Sequence, residues 1–276
     1  MANGTNAAVV VGVDGSPASE RAIGLAAEEA VGQGRSLRLL HAFDWSEFGP
    51  DDGSPYDSIE RLLQRAADQA RAAAPGVDAT TETAEGKPVT VLLRAAAAAD
   101  LLAIGDGNLA SYGCLPTAAT AVRIAAEADC SVLVTRDAEV KPGPVLVGID
   151  PSPRADHALG HAFDIATHRR ADLVVLHVNE EESGNEAGGP VRSPIDPALA
   201  DRVANWQRRY PSVHVDLRGI PGDPMRVLVD EASRAALVVV GARGELPTRS
   251  LLGAVSMGVL HHAPCPVLVV RGPKPG

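Results

Sequence analysis

The run Val9-Val10-Val11-Gly12-Val13-Asp14-Gly15-Ser16-Pro17 returns 136 residues later as Val145-Leu146-Val147-Gly148-Ile149-Asp150-Pro151-Ser152-Pro153. No other feature constrains the fold as strongly, because an internal repeat fixes architecture before any single element does. Leu39-Leu40-His41-Ala42 returns at the same spacing as Val175-Leu176-His177-Val178, and Gly86-Lys87-Pro88 returns as Gly222-Asp223-Pro224. Leu101-Leu102-Ala103-Ile104-Gly105 returns as Leu237-Val238-Val239-Val240-Gly241. The last apolar run, Cys130-Ser131-Val132-Leu133-Val134, returns at Cys265-Pro266-Val267-Leu268-Val269, now 135 residues on, so the second copy is one residue shorter between Gly241 and Cys265. The Pro- and Gly-marked stretch 137–144 reads as the linker. It divides the chain into domains spanning 1–140 and 141–276.

Within the first copy, strand-length apolar runs near 8–14, 36–43, 77–83, 100–105 and 131–136 alternate with helical patterns near 17–33, 56–74, 88–98 and 117–128. Continuous apolar strands alternating with helices predict an α/β fold, with a parallel sheet covered by helices on both faces. Aromatic residues make up only 3% of the chain and apolar residues 45%, so the core must be built from Val, Leu, Ile and Ala. Ser16 before Pro17 is a helix start, a capping hydroxyl followed by proline at the first helical position, and Ser152-Pro153 is expected to repeat it. Right-handed crossovers leave a ligand crevice at the carboxyl ends of the first and fourth strands.

Charge narrows the ligand. The formal net charge is -10, which argues against nucleic acid or an anionic membrane as partner. A nucleotide stays open, because backbone N–H groups can hold phosphate locally. No apolar run reaches spanning length, and the amino-terminal stretch has no signal-peptide pattern, Asp14 interrupting its apolar residues. The three cysteines form no disulfide framework, and the chain reads as cytoplasmic.

Several residues converge on the crevice. Asp14 and Asp150 end the first strand of each copy. Each can accept hydrogen bonds from a ribose or an adenine amine, or can simply form the turn. The loop after the fourth strand of the second copy runs Gly241-Ala242-Arg243-Gly244, continues through Arg249, and ends Gly253-Ala254-Val255-Ser256. Its glycines let phosphate approach backbone, the following helix offers amides, and the arginines add charge. It can equally be a surface loop with turn glycines. His41 and His177 have no nucleophile nearby in sequence and read as structural. His157, His161, Asp164 and His168 form one helical stripe with ligand-like spacing. The stripe is absent from the first copy, whose counterparts are Arg21, Leu25, Glu28 and Gly32, so it reads as a solvated flank and the sequence requires no metal. There is no triad, paired acid and base, or metal centre, and the expectation is that the protein is not an enzyme.

These motifs resemble the universal stress protein family, in the tandem two-domain form common in actinobacteria. The resemblance runs over 9–136 and 145–271 and is carried by VVVGVDGSP, VVVGARG and the run Val259-Leu260-His261-His262-Ala263-Pro264-Cys265-Pro266-Val267-Leu268-Val269-Val270-Arg271. It implies two Rossmann-like domains, each an open five-stranded sheet of order 3-2-1-4-5, whose last strands commonly pair domains; a homodimer follows as an expectation. Members that bind ATP carry Gly-x2-Gly-x9-Gly-Ser/Thr after the fourth strand. In the second copy Gly241 and Gly244 match, but the spacer to Gly253 is one residue short and Ala254 replaces the hydroxyl residue, with Ser256 as a substitute. The resemblance assigns Gly148, Ile149, Asp150 and Val178 to the adenine and ribose side of the pocket. It assigns Gly241, Ala242, Arg243, Gly244, Arg249, Gly253, Ala254, Val255 and Ser256 to the phosphate side. In the first copy Gly12, Val13, Asp14, Ala42 and Gly105 correspond, whereas Asn108 stands at the second glycine, Ala118-Ala119 stand at the Gly-Ser/Thr position, and Asp106 is expected to repel phosphate. The chain is therefore expected to act in the stress response by binding ATP weakly in its second domain. The alternative is a ligand-free dimerising scaffold.

Overall fold

The computed structural model describes residues 7–44, 55–107, 109, 119–179, 193–242 and 252–272. The chain divides into two compact units, Met1–Asp137 and Ala138–Gly276.

In the first unit, strands β1 (Ala8–Gly12), β2 (Leu37–Phe43), β3 (Ala79–Glu85), β4 (Ala99–Gly105) and β5 (Ser131–Thr135) alternate with helices α1 (Pro17–Gly32), α2 (Pro55–Ala73), α3 (Pro88–Ala96) and α4 (Thr120–Glu127). The strands are parallel and ordered β3-β2-β1-β4-β5. The second unit repeats the arrangement with β6 (Val145–Ile149), α5 (Ala155–Arg169), β7 (Leu173–Asn179), α6 (Pro197–Arg209), β8 (Val215–Pro221), α7 (Pro224–Ala232), β9 (Leu237–Gly241), α8 (Ala254–His262) and β10 (Val267–Val270). Its order, β8-β7-β6-β9-β10, is the same one.

The repeat extends to register. Val9 lies beside Leu37 and Leu37 beside Ala79, while Val145 lies beside Leu173 and Leu173 beside Val215. Each central strand is apolar along its length because helices cover both of its faces: Val9, Val10 and Val11 are fully buried, as are Val145 and Val147. Strand order reverses beside β1 and β6, which opens the crevice at their carboxyl ends next to β4 and β9.

The two helices that follow the first strands start differently. Ser16 caps α1, its Oγ accepting from the Ser19 amide at 3.2 Å. Helix α5 begins only at Ala155, with Arg154 as its cap residue and no side-chain cap bond. The expectation that Ser152 repeats the Ser16 cap is corrected here. Gly15 turns the chain with φ of +79°, a left-handed conformation that proline, with φ locked near −65°, cannot adopt. Pro151 occupies that position in the second domain, so the turn closes instead through Ala155 N–H donating to Ser152 O at 3.2 Å, and the helix starts later.

Candidate functional site

In both domains the acid after the first strand is held by the same local device. Asp14 Oδ1 accepts from the Ser16 amide at 2.9 Å and from Ser16 Oγ at 2.6 Å. Asp150 Oδ1 accepts from the Ser152 amide at 3.1 Å and from Ser152 Oγ at 2.5 Å. These are aspartate turns, and the bonds fall on one carboxylate oxygen in each case. Asp14 is exposed and Asp150 is half-buried. Behind them, Val13 and Ile149 are buried.

Gly12 and Gly148 have a packing reason for being glycine. A Cβ at Gly12 would lie 3.1 Å from Leu92 of α3, and one at Gly148 would lie 2.9 Å from the equivalent Leu228 of α7. Gly105 lies against the start of α1, where a Cβ would come within 2.9 Å of the Ser19 amide nitrogen.

The histidines preceding the adenine-side positions Ala42 and Val178 extend the strand pairing by one hydrogen bond. His41 Nδ1 donates to Val13 O at 2.7 Å and His177 Nδ1 donates to Ile149 O at 3.2 Å, since a carbonyl can only accept. They pin the end of the first strand to the second. Ala42 and Val178 themselves are half-buried beside that point.

On the phosphate side of the second domain, Gly241 ends β9 and is half-buried, and Ala242 is buried. Ala242 donates to Val270 O at 2.8 Å and accepts from the Gly253 amide at 3.0 Å. Gly253 caps α8 in an extended conformation, and the first helical bond is Met257 N–H to Gly253 O at 2.9 Å. The amides of Ala254, Val255 and Ser256 therefore belong to the first turn, which has no intrahelical acceptors; Ala254 is exposed and Val255 half-buried. Arg243, Gly244 and Arg249 lie outside the described residues, as does Asn108 in the first domain.

Ser256 behaves differently from its expected role as the phosphate hydroxyl. Its Oγ donates to Gly241 O at 2.6 Å and the residue is buried. A hydroxyl has one proton to donate, and here it ties the start of α8 to the end of β9.

The head of the corresponding loop in the first domain carries a second correction. Asp106 is not an open negative charge: Arg136 Nη1, just past β5, donates to its Oδ2 at 3.3 Å, with the two side chains 7% and 6% exposed. The pair lies 30 residues apart in sequence and gave no local signal. Its counterparts in the second domain are Ala242 and Arg271.

Sequence reasoning also missed Arg202 of α6. Its guanidinium donates to Ser152 O at 2.8 Å and to Pro151 O at 3.4 Å, and its Nε lies 3.7 Å from Asp156. The available signal was a mismatch between repeats, since Ala66 occupies this position in the first domain. Of the histidine stripe, Asp164 accepts from the Tyr210 hydroxyl at 2.6 Å. Desolvation by burial, then that hydrogen bond, push the Tyr210 phenol up to about 12. Among the described residues, no group of three or more His, Cys, Asp or Glu is placed to hold a metal ion. Among the same residues, no helix is long and apolar enough to cross a membrane.

Comparison with known proteins identifies the lineage of this arrangement. The model of the universal stress protein family matches twice, over residues 6–136 and 143–271. The chain belongs to the universal stress protein family. A universal stress protein of Mycolicibacterium smegmatis is 32% identical over 288 residues, covering 97% of this chain and 98% of that protein. One from Mycobacterium tuberculosis strain H37Rv is 32% identical over 288 residues, covering 95% and 96%. Among solved structures, a universal stress protein from Archaeoglobus fulgidus superposes with a TM-score of 0.73 at 21% identity, covering 98% of this chain and 97% of that one, a likeness of fold.

Proposed function

We propose that this universal stress protein binds an adenine nucleotide, ATP, through its second domain, weakly and without turning it over. We place it in the cytoplasm as a homodimer, dividing near residue 140. The observation that carries the domain assignment is the residue at the head of the fourth-strand loop. In the first domain that position is Asp106, paired with Arg136, and the segment that follows, 107–122, carries no Lys or Arg. In the second domain the position is Ala242, and the chain passes from it into a segment that supplies Arg243, Gly244 and Arg249 before the first turn of α8. A triphosphate can use the amides of Ala254, Val255 and Ser256, with Asp150 and Val178 available to ribose and base. No metal is needed from the protein for this role.

The binding is weak on this reading because Ala254 supplies no hydroxyl and Ser256 Oγ is already committed to Gly241. Loss of one charge-assisted phosphate contact costs about 1.5–3 kcal/mol, roughly tenfold or more in affinity. The same Ser256 bond favours a second reading, a scaffold that works without ligand. Nucleotide analysis of protein purified without added ligand, followed by calorimetric titration with ATP, separates the two. The first reading expects one ATP per chain, and no heat at any ATP concentration would leave the scaffold.

A further inference from the structure

The Pro151 substitution leaves the turn after β6 with a structural problem that the turn after β1 does not have. In the first domain, α1 starts directly from Ser16: Glu20 N–H donates to Ser16 O at 2.9 Å, and Ser19 Oγ donates to Gly12 O at 3.2 Å while accepting from the Asp14 amide at 3.2 Å. The turn carrying Asp14 is thus stitched to its own helix. In the second domain, the residue equivalent to Ser19 is Ala155, which can make neither bond, and the helix begins later. Among the described residues, Arg202 holds this turn from outside. Its two terminal nitrogens reach the carbonyls of Pro151 and Ser152. Its Nε faces Asp156, whose Oδ1 also accepts from Trp206 Nε1 at 3.3 Å.

We infer that Arg202 is a positioning residue for the second-domain nucleotide site, fixing the Asp150 turn from the neighbouring helix α6. The inference rests on the proposed nucleotide reading and adds a residue to it that does not itself touch ligand. A planar guanidinium suits the task, because it offers fixed, divergent donors to two successive carbonyls, which a lysine ammonium cannot match in geometry. Holding the turn before ligand arrives removes part of the ordering cost of binding. The same network places Trp206 one hydrogen bond from Asp156, so its emission reports on the state of the turn.

Two measurements on the full chain test this. Amide hydrogen exchange of Ser152, whose N–H donates to Asp150, is compared between the wild type, Arg202→Met and Arg202→Lys without any nucleotide. The expected result is faster exchange in Arg202→Met and partial recovery in Arg202→Lys. ATP is then titrated by calorimetry and by Trp206 emission in a Trp45→Phe background. Arg202→Met is expected to weaken binding roughly tenfold and to abolish the emission change, with Arg202→Lys between it and the wild type. Unchanged Ser152 exchange in both variants, or ATP affinity within about twofold of the wild type in Arg202→Met, overturns the inference. If the wild type itself takes up no ATP, the nucleotide reading fails, while the exchange comparison still decides whether Arg202 holds the turn.

Discussion

The two domains share strand order and register yet fill their first helix pair with side chains of very different size. In the first domain α1 and α2 carry small buried residues, among them Ala27 and Ala70, with Ala74 buried just past α2. In the second domain the equivalent positions are Phe163, Trp206 and Tyr210, whose rings stack with centroids 6.2 Å apart for Phe163 and Trp206, and 5.4 Å for Phe163 and Tyr210. One sheet therefore tolerates either an alanine interface or an aromatic one, provided that each is filled to native density. The difference teaches where the repeat is constrained and where it is not. Strand pairing and the glycines against Leu92 and Leu228 are held in common, whereas helix interfaces and the loops at the carboxyl edge have diverged. The proposed asymmetry in ligand binding belongs to the second category.

The aromatic cluster offers the strongest way to break that contrast. Phe163→Ala should destabilise the second domain by on the order of 4 kcal/mol, because a fully buried ring leaves a cavity its stacked neighbours cannot fill. Urea unfolding followed by circular dichroism checks it; a loss under about 1 kcal/mol would mean that the ring packing of α5 against α6 carries little of the domain's stability.

Next in size is the buried Asp106–Arg136 pair of the first domain, where the second domain has Ala242 in place of the acid. Asp106→Ala should cost on the order of 3 kcal/mol by removing the carboxylate that faces the buried Arg136 guanidinium, and the double change with Arg136→Met should recover most of it. A double-mutant cycle that shows simple additivity would contradict the pairing.

A smaller effect separates the two turns. Gly15→Pro should destabilise by about 1–3 kcal/mol, since φ of +79° is closed to proline. The reciprocal Pro151→Gly should shift stability by less than about 1 kcal/mol, chiefly through the freer unfolded chain. Thermal melts of the two variants, if equal, would show that the turns are interchangeable after all.

The smallest effect is a pH dependence carried by Tyr210 in the second domain. The Tyr210 phenol is raised from 10.0 to about 12, so the folded state favours the neutral form. Its contribution to stability is full below pH 10 and is lost as pH rises through about 12. Tyr210→Phe should remove this alkaline loss, as stability measured across that range by denaturant titration would show.

Much of this architecture can be read from one sequence because repeats, apolar strand runs and turn residues are local signals. The positions of Val9 to Val11 and Val145 to Val147 needed nothing else. The site was less legible, for reasons that differ residue by residue. Asp14 and Asp150 were visible as acids at strand ends, but whether they form turns depended on Ser16 and Ser152 closing onto them. The late start of α5 was encoded in the single exchange of Gly15 for Pro151, whose consequence lies in backbone geometry rather than in side-chain type. The Arg136 to Asp106 pair and the Arg202 clamp join residues on separate elements, which spacing along the chain cannot report. Ser256 looked like a spare hydroxyl until its carbonyl partner, Gly241, was in place.

The central claim is that nucleotide binding belongs to the second domain alone, and matched substitutions in the two loops test it most directly. ATP titration by calorimetry should show binding abolished in Gly244→Val, a change at the second glycine of the family's phosphate pattern, and unchanged in Asn108→Val. ATP binding that survives Gly244→Val but disappears in Asn108→Val would place the site in the first domain and contradict the account.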